Sequence, residues 1–273
     1  MTKKIGLGLV ALVAMVAGVV GLSAFEAHVI NVTAKIENAL QVATKAIQFG
    51  TVFPQEELEQ TLTIELSDSF IDEDRVDDVE YIIRQKPKCG VTEDNGETLV
   101  GPTWTGHVVV TPVLDPVTGE VIGYTSSVDC KQDEPNDLVL EEGRQTAGLL
   151  PSLCEYISKH PDRNPTPGND DSLNSFHKPY TVDQLTGAIV WNDVDGRLAK
   201  SDQDFDDLWT IDLKVPCFGD HCAQDWADFV HGINPDADPD EYVQDIDNEH
   251  MIFGCNLWIE VNRVSEFEGP TET

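Results

Sequence analysis

Basic residues are scarce in this sequence of 273 residues, because 17 Lys and Arg stand against 50 Asp and Glu. The formal net charge is −33. A surface this acidic repels phosphate backbones and anionic lipid headgroups. It suits solubility in salt, divalent-cation binding or the coating of a surface. We therefore expect no nucleic-acid partner, and contact with a membrane only through an uncleaved export signal.

The common catalytic motifs are also missing. The seven histidines are scattered, and no H-E-x-x-H, G-x-S-x-G or phosphate-loop pattern occurs. Pairs of acidic residues are abundant, but 50 acidic residues produce such pairs by chance. Internal repeats and coiled-coil heptads are lacking as well. The sequence therefore indicates no particular reaction, and a secreted hydrolase is the weakest of the functions that it leaves open.

An uncharged stretch near the N-terminus predicts the compartment. Two lysines precede an uncharged run over 5–25, and small residues surround two plausible cleavage positions, after Ala24 and after Ala27. This order is typical of an export signal, so we interpret 1–27 as that signal. The alternative is a retained membrane anchor, since the apolar part has 18 residues, the lower end of what spans a bilayer. Either way the protein is expected to be secreted or held at the extracellular cell surface.

The chain has six cysteines: Cys89, Cys130, Cys154, Cys217, Cys222 and Cys255. An even number in an exported chain predicts disulfides, but sequence alone leaves many pairings open. Cys217 and Cys222 are the only close pair, and we predict a bridge between them. Because His221 lies inside this pair, a zinc site is the alternative.

Apolar and polar residues alternate in many short stretches, which is the pattern of half-buried β-strands. The predicted strands cover 28–36, 47–54, 61–66, 79–85, 107–114, 120–125, 188–191, 209–215 and 251–264. Residues 115–119 connect two of these strands as a hairpin, because proline presets the turn and glycine supplies a positive φ. Apolar residues at helical spacing predict one short helix over 223–231.

These elements indicate an all-β fold, namely a β-sandwich of immunoglobulin-like or jelly-roll type with one short helix and long loop insertions. We expect a single domain over 28–268. It should contain a loop-rich insertion at about 131–190, where the alternation weakens, and it should be followed by a polar, frayed tail over 269–273.

One acidic stretch suggests a calcium site. Asp236, Asp238, Asp240 and Asp247 fall at positions 1, 3, 5 and 12 of a calcium-loop register. Glu241 takes the sixth position, where an EF-hand needs glycine, which argues against a helical EF-hand. Hard oxygen ligands in a loop still suit Ca²⁺ in a non-helical geometry. A solvated acidic loop is the alternative, and we expect no other cofactor.

Two tryptophans are candidate ligand-binding residues. Trp104 lies in a Gly-Pro-Thr-Trp-Thr-Gly loop, and Trp258 lies on the polar side of its strand, so both are expected to reach solvent. Aromatic rings of this kind can stack on sugars, which suggests a polysaccharide ligand. Trp209 and Trp226 lie on apolar faces instead and are expected in the core.

Several stretches resemble known surface proteins. The Ser-Ala-Phe junction at 23–25 follows a lysine-led export signal, and a strand begins almost at the cleavage position. The stretch 47–54 resembles the opening of immunoglobulin-like surface domains, and the stretches around Trp104 and Trp226 look like a family of exported bacterial proteins. Over about residues 1–66, the chain resembles the TasA/camelysin group of exported bacterial surface and matrix proteins.

Members of that group assemble into fibres, so the resemblance implies a fibre or surface-layer role with the chain itself as partner. We therefore predict an exported structural protein of the cell surface or extracellular matrix that self-assembles by donation of its first strand, 28–36. A strand that closes its own sandwich is the alternative for that segment. The alternative for the function is an extracellular binding module for a cell-envelope polysaccharide or for calcium.

Overall fold

The computed structural model describes residues 35–44, 46–92, 98–99, 104–130, 148–161 and 171–266. Within these ranges the chain consists mainly of antiparallel strands, which confirms the predicted all-β class. The strands are β1 (Leu40–Val42), β2 (Glu57–Leu66), β3 (Val76–Pro87), β4 (Cys89–Thr92), β5 (Thr98–Leu99), β6 (His107–Leu114), β7 (Val121–Asp129), β8 (Gly148–Leu149), β9 (Tyr180–Val182), β10 (Ile189–Trp191), β11 (Val194–Ala199), β12 (Asp206–Lys214) and β13 (Cys255–Glu266). Two short α-helices are described, α1 (Asp68–Ile71) and α2 (Trp226–Ile233).

The chain divides into two units. Met1–Glu37 is the first, and of it the structure describes only the last three residues, in which Lys35 pairs with Glu37 and Ile36 is exposed. Asn38–Thr273 is the second, and it holds all of the strands and helices named above. The predicted export signal, the tail and most of the predicted strand 28–36 lie outside the described residues, while Lys35 and Ile36 belong to no strand.

Two three-stranded sheets carry the core. One has the order β1-β2-β12 and the other β11-β3-β13, with every pairing antiparallel. Tyr81 at the centre of β3 lies opposite Gly196 of β11. A Cβ atom at Gly196 would lie 2.3 Å from the Tyr81 ring, so only glycine lets the two strands pair here without moving that ring.

Both sheets turn their apolar sides into one cluster. The buried apolar residues on β12 and just after it include those predicted to point inward, Trp209, Ile211, Leu213 and Val215, while Asp207 and Asp212 of the same strand are buried as well. They share the cluster with side chains of β2, β3 and β11, namely Leu62, Ile64, Leu66, Val79, Tyr81, Ile83, Val194 and Leu198. The core therefore joins the two sheets, while the immunoglobulin-like or jelly-roll type stays a prediction.

The predicted insertion at about 131–190 contributes to this core through its described parts. Tyr156 and Phe176 are fully buried in the cluster, with ring centroids 6.1 Å apart in an edge-to-face contact. Trp226 at the start of α2 packs on Phe176 at 5.6 Å, so the helix docks on this segment. The helix begins three residues later than predicted and buries Trp226 and Val230, two members of its predicted apolar face.

One predicted strand is wrong. Residues 47–54 contain no strand, because Gly50 has a φ of 76° and turns the chain, and Pro54 has no N–H to donate. The apolar residues Ile47, Phe49 and Val52 still pack against the core.

The predicted hairpin is present and joins β6 to β7. In its turn the carboxylate of Asp115 accepts hydrogen bonds from the N–H groups of Val117 and Thr118, both at 2.8 Å. Gly119 supplies the positive φ, 73°, that lets the chain enter β7.

Three disulfides account for all six cysteines, which confirms the predicted disulfide bonding. Cys217 is bonded to Cys222, the pair singled out by its spacing. The other bridges join Cys89 to Cys130 and Cys154 to Cys255 across 41 and 101 residues of sequence. Disulfides of this kind are typical of proteins that work in oxidising compartments outside the cytosol.

Candidate functional site

The outer side of β3 and β13 carries the most distinctive set of surface side chains among the described residues. Along β3, the residues of the apolar core alternate with Arg84 and Lys86 on the opposite side. The antiparallel register places Trp258 of β13 opposite Arg84. Trp191 of β10 and Glu260 of β13 complete a set that we call the Trp–Lys face.

Two tryptophans enclose a cation on the Trp–Lys face. The Nζ atom of Lys86 lies 3.3 Å from the ring centroid of Trp258 and 5.9 Å from that of Trp191. The guanidinium of Arg84 lies 5.6 Å from the Trp191 ring. Contacts of this kind are attractive because the face of an indole ring is electron-rich. They hold both tryptophan side chains at the sheet surface.

The cations of this face are paired with carboxylates. Arg84 contacts Asp193 at 3.1 Å and Glu260 at 3.4 Å, and Lys86 contacts Glu260 at 3.2 Å. The charges of these two cations and two carboxylates therefore nearly cancel, although the protein as a whole has a very high net negative charge. The result is aromatic surface with hydrogen-bonding groups at its edge, an arrangement that suits a neutral sugar better than a highly charged ligand.

The two predicted ligand-binding tryptophans come together around Asn256. The Nδ2 atom of Asn256 donates to the backbone oxygen of Trp104 at 2.9 Å and to the hydroxyl of Thr105 at 2.8 Å. The Nε1 atom of Trp258 reaches the same hydroxyl at 3.4 Å. Trp258 is 39% exposed, whereas Trp104 is only partly exposed. Trp258 is thus the better placed of the two to meet a ligand.

Trp191 is a member of this face that sequence reasoning missed. It ends a short strand of alternating residues and could be assigned to a sheet, but only the pairing of strands distant in sequence brings it beside Arg84. Its ring also packs on Tyr180 at 5.3 Å, so two aromatic side chains lie side by side here.

The four predicted calcium ligands are all exposed to solvent. Asp238 uses its carboxylate to accept the N–H of Asp240 at 3.2 Å, which caps a 3₁₀-helix that begins at Pro239. The N–H of Asp247 donates to a different carboxylate, and Asp236 is exposed. Over the described part of the chain, no group of three or more His, Cys, Asp or Glu side chains could hold a metal ion.

A second polar cluster lies beneath the sheet, on the core side of β3. Lys159 is fully buried, and its Nζ donates to the Oε1 atom of Gln85 at 3.0 Å. The Nε2 atom of His177 lies 2.6 Å from the same oxygen. The Nε2 atom of Gln85 donates to the backbone oxygens of Cys154 and Ile157 at 2.9 and 3.2 Å, which fixes the orientation of the amide.

Burial shifts the protonation of this cluster toward neutral forms. Loss of water lowers the pKa of Lys159 to about 7, although the carboxylate of Asp193 opposes the shift. Burial and the neighbouring Lys159 cation lower the pKa of His177 to about 3. At neutral pH the histidine is therefore uncharged, and a substantial fraction of the lysine carries a free amine.

No family model, curated protein or solved structure matches the chain. The described residues also contain no helix that is both long and apolar enough to cross a membrane.

Proposed function

We propose that this chain is an exported structural protein of the cell surface or extracellular matrix, and that copies of it join along the edge of β13. The three disulfides support export, because such bonds persist in oxidising compartments. The resemblance of the N-terminal region to the TasA/camelysin group supports a fibre. The edge of β13, which pairs only with β3 among the described residues, is the single observation that carries the assembly.

β13 is a long strand at the edge of its sheet. It has 12 residues and, among the described residues, pairs only with β3. Its other side presents a row of backbone N–H and C=O groups, to which a further strand can add. Trp258, Val261 and Val264 are 39%, 45% and 43% exposed, so apolar side chains accompany this edge. A long edge with exposed apolar side chains favours pairing with another chain.

The occupant that we propose is the segment 28–36 of a second copy. Its nine residues alternate, with Ile30, Val32 and Ala34 on one side. Seven of these nine residues are enough to cover the regular part of β13, which runs from Cys255 to Val261 before the register shifts. Because each copy would donate one strand and accept another, the contact is head-to-tail, and such contacts produce filaments when successive copies do not close into a ring.

Charge controls this assembly. The formal net charge of −33 repels a second copy at low ionic strength. Salt screens such repulsion beyond about 8–10 Å at physiological concentrations, so salt or divalent cations should promote filaments. Divalent cations can act in this way by screening alone, without a built calcium site.

A charge placed on the β13 edge should prevent assembly. We expect Val261→Lys to stay monomeric in salt at protein concentrations where the wild type forms filaments, because an exposed lysine opposes strand addition. Sedimentation velocity and electron microscopy measure this directly. Val117→Lys is the matched control, since Val117 is 90% exposed in the β6–β7 turn and the substitution adds the same charge there. It should assemble like the wild type.

Deletion of the N-terminal segment tests whether residues 28–36 are the strand that adds to β13. A chain that lacks residues 25–36 should remain monomeric and take up a peptide of sequence 28–36. A truncated chain that still assembles would exclude the segment 28–36 as the strand that adds to β13. The assembly proposal is wrong if the full mature protein stays monomeric at high concentration in salt and calcium.

Binding of a neutral cell-envelope polysaccharide is the second candidate function, and the Trp–Lys face is the observation that favours it. The Trp258 ring is exposed and held in place by Lys86 and Thr105, so it offers a fixed platform on which a sugar ring can stack. Glu260 and Arg84 at its edge can hydrogen-bond to sugar hydroxyls.

Loss of the Trp258 ring should weaken such binding strongly. We expect Trp258→Ala to reduce binding to a glycan array of cell-envelope polysaccharide fragments by about tenfold, since the loss of an aromatic contact of about 1.5 kcal/mol corresponds to that factor. Phe53→Ala is the matched control, because Phe53 is an exposed aromatic residue that does not belong to this face. Equal binding by both variants and the wild type would assign the face a structural role only.

A further inference from the structure

Lys159 is an exceptional residue, because a fully buried lysine in a protein normally lies beside a carboxylate. Here the only hydrogen-bond partner of its Nζ atom within the described residues is the uncharged amide of Gln85. Asp193 acts on Lys159 through its field but forms an ion pair with Arg84 instead. The core thus holds an amine and a carboxamide in direct contact.

We propose that Lys159 and Gln85 form an intramolecular isopeptide bond. The Nζ atom of Lys159 attacks the Cδ atom of Gln85, a new Nζ–Cδ amide bond forms, and the Cδ–Nε2 bond breaks. One proton moves from Nζ to Nε2, which leaves as ammonia. Atoms and charge balance without an oxidant, a reductant or any other reactant. This inference does not depend on the assembly or the ligand proposed above.

The contact geometry brings the reacting atoms close. Nζ lies 3.0 Å from Oε1, and the C=O bond adds about 1.2 Å, so Nζ is at most about 4.2 Å from Cδ. A shift of about 1 Å along the flexible lysine stem gives the separation of about 3–3.5 Å from which such attacks proceed. Groups fixed at this range react as if present at very high concentration, which compensates for the low reactivity of an amide.

The surroundings favour attack by the amine. At neutral pH a substantial fraction of Lys159 is unprotonated and hence nucleophilic, as burial lowers its pKa to about 7. His177 places its Nε2 atom 2.6 Å from Oε1, where an N–H would stabilise the negative charge that develops on this oxygen. The Cys154 and Ile157 carbonyls hold the departing Nε2.

Bond formation would also resolve a conflict at His177. Both ring nitrogens of His177 face oxygen atoms, because Nδ1 lies 2.8 Å from the backbone oxygen of Asn174. Only the doubly protonated imidazolium can donate to both oxygens, yet burial and, after it, the Lys159 cation lower the pKa of His177. An amide nitrogen carries no charge, so the bond removes this repulsion and lets His177 keep both protons more easily.

A second lysine–amide contact provides an internal comparison. Lys88 donates to the Oδ1 atom of Asn256 at 2.8 Å, a similar distance. That pair is only partly buried, and Asn256 is instead engaged by Trp104 and Thr105 with no histidine on its Oδ1 atom among the described residues. We expect no bond there, because proximity without burial and a polarising donor is not sufficient.

Mass spectrometry of the reduced full-length protein tests the proposal. The wild type should have a mass lower than its sequence mass by one ammonia, and trypsin should fail to cut after Lys159, since a modified lysine is not a substrate. Peptide mapping should find the peptide with Lys159 joined to the one with Gln85. Lys159→Arg should restore the full mass, whereas Lys88→Arg should retain the deficit.

His177→Gln tests the role of the histidine while keeping a hydrogen-bond donor, and it should slow formation of the bond without preventing folding. If Lys159→Arg fails to fold, the cross-linked peptide of the wild type decides the question alone. A wild-type protein with the full sequence mass and normal trypsin cleavage after Lys159 overturns the proposal. So does an ammonia deficit that maps to Lys88 and Asn256.

Discussion

Removal of the Cys154–Cys255 bridge should cause the largest loss of stability among the three disulfides. We expect Cys154→Ala with Cys255→Ala to lower the free energy of unfolding by about 4–5 kcal/mol, because the bridge closes a loop of 101 residues in the unfolded chain. The Cys89–Cys130 bridge spans 41 residues and should contribute about 4 kcal/mol. Cys217–Cys222 spans only five and should contribute about 2 kcal/mol.

Urea unfolding of the three double-alanine variants measures this order, with the wild type as reference. The Cys217→Ala, Cys222→Ala variant is the matched control. It also removes a buried sulfur, but the bridge that it removes closes only a short loop. Equal losses in all three variants would show that packing of the sulfur atoms, and not loop closure, determines the contribution.

Cys154 has a second role, since its backbone oxygen accepts a hydrogen bond from Gln85 and its disulfide anchors that oxygen to β13.

The sequence predicted the strands well where a single strand shows its own alternation. The stretch 209–215 has a buried residue at each of the four positions predicted to point inward. The predicted hairpin strand 107–114 coincides with β6, because turn residues and flanking alternation are local features. Period-two patterns report which side of a strand is buried, and they require no knowledge of the partner strand.

Contacts between distant segments could not be predicted in the same way. Tyr156 and Phe176 belong to the core, yet they lie in a stretch with many polar residues and prolines, where isolated aromatic residues have no periodic neighbours. Phe176 adopts a φ of 62°, a conformation that no local pattern indicates for phenylalanine. The region therefore resembled an insertion, although its described parts complete the core.

The candidate sites also contain residues that local sequence features identify and residues that only contacts between distant segments bring into place. Trp258 could be selected because it lies on the polar side of an apolar strand, and the structure places it at the surface. Lys159 could not be selected, since a lysine between serine and histidine normally faces solvent. Its burial follows from short bridges that pair residues 157 and 160 with β12, which draw this segment against the sheet. The four aspartates fit a ligand register in sequence, but in the fold all four are exposed, and the carboxylate of Asp238 accepts from the N–H of Asp240.

Loss of the Trp209 side chain should be the most severe single substitution in the core. Trp209 is fully buried at the centre of β12, and its Nε1 atom donates to the hydroxyl of Tyr81 at 2.7 Å, which in turn donates to the carboxylate of Asp207. We expect Trp209→Ala to lower the free energy of unfolding by about 3–5 kcal/mol, because it removes a large apolar volume that its neighbours cannot refill. Tyr81→Phe should cost about 1–3 kcal/mol, since it leaves the Trp209 N–H without its acceptor.

Leu208→Ala is the matched control for Trp209→Ala, because Leu208 precedes Trp209 on the same strand and is 42% exposed. Its effect on the free energy of unfolding should stay within about 0.5 kcal/mol, as for most surface substitutions. Urea unfolding measures all three variants. A one-residue shift in the pairing of β12 with β2 would exchange the two sides of the strand, and Leu208→Ala would then cost more than Trp209→Ala. The order of these two losses therefore tests the register on which the whole core depends.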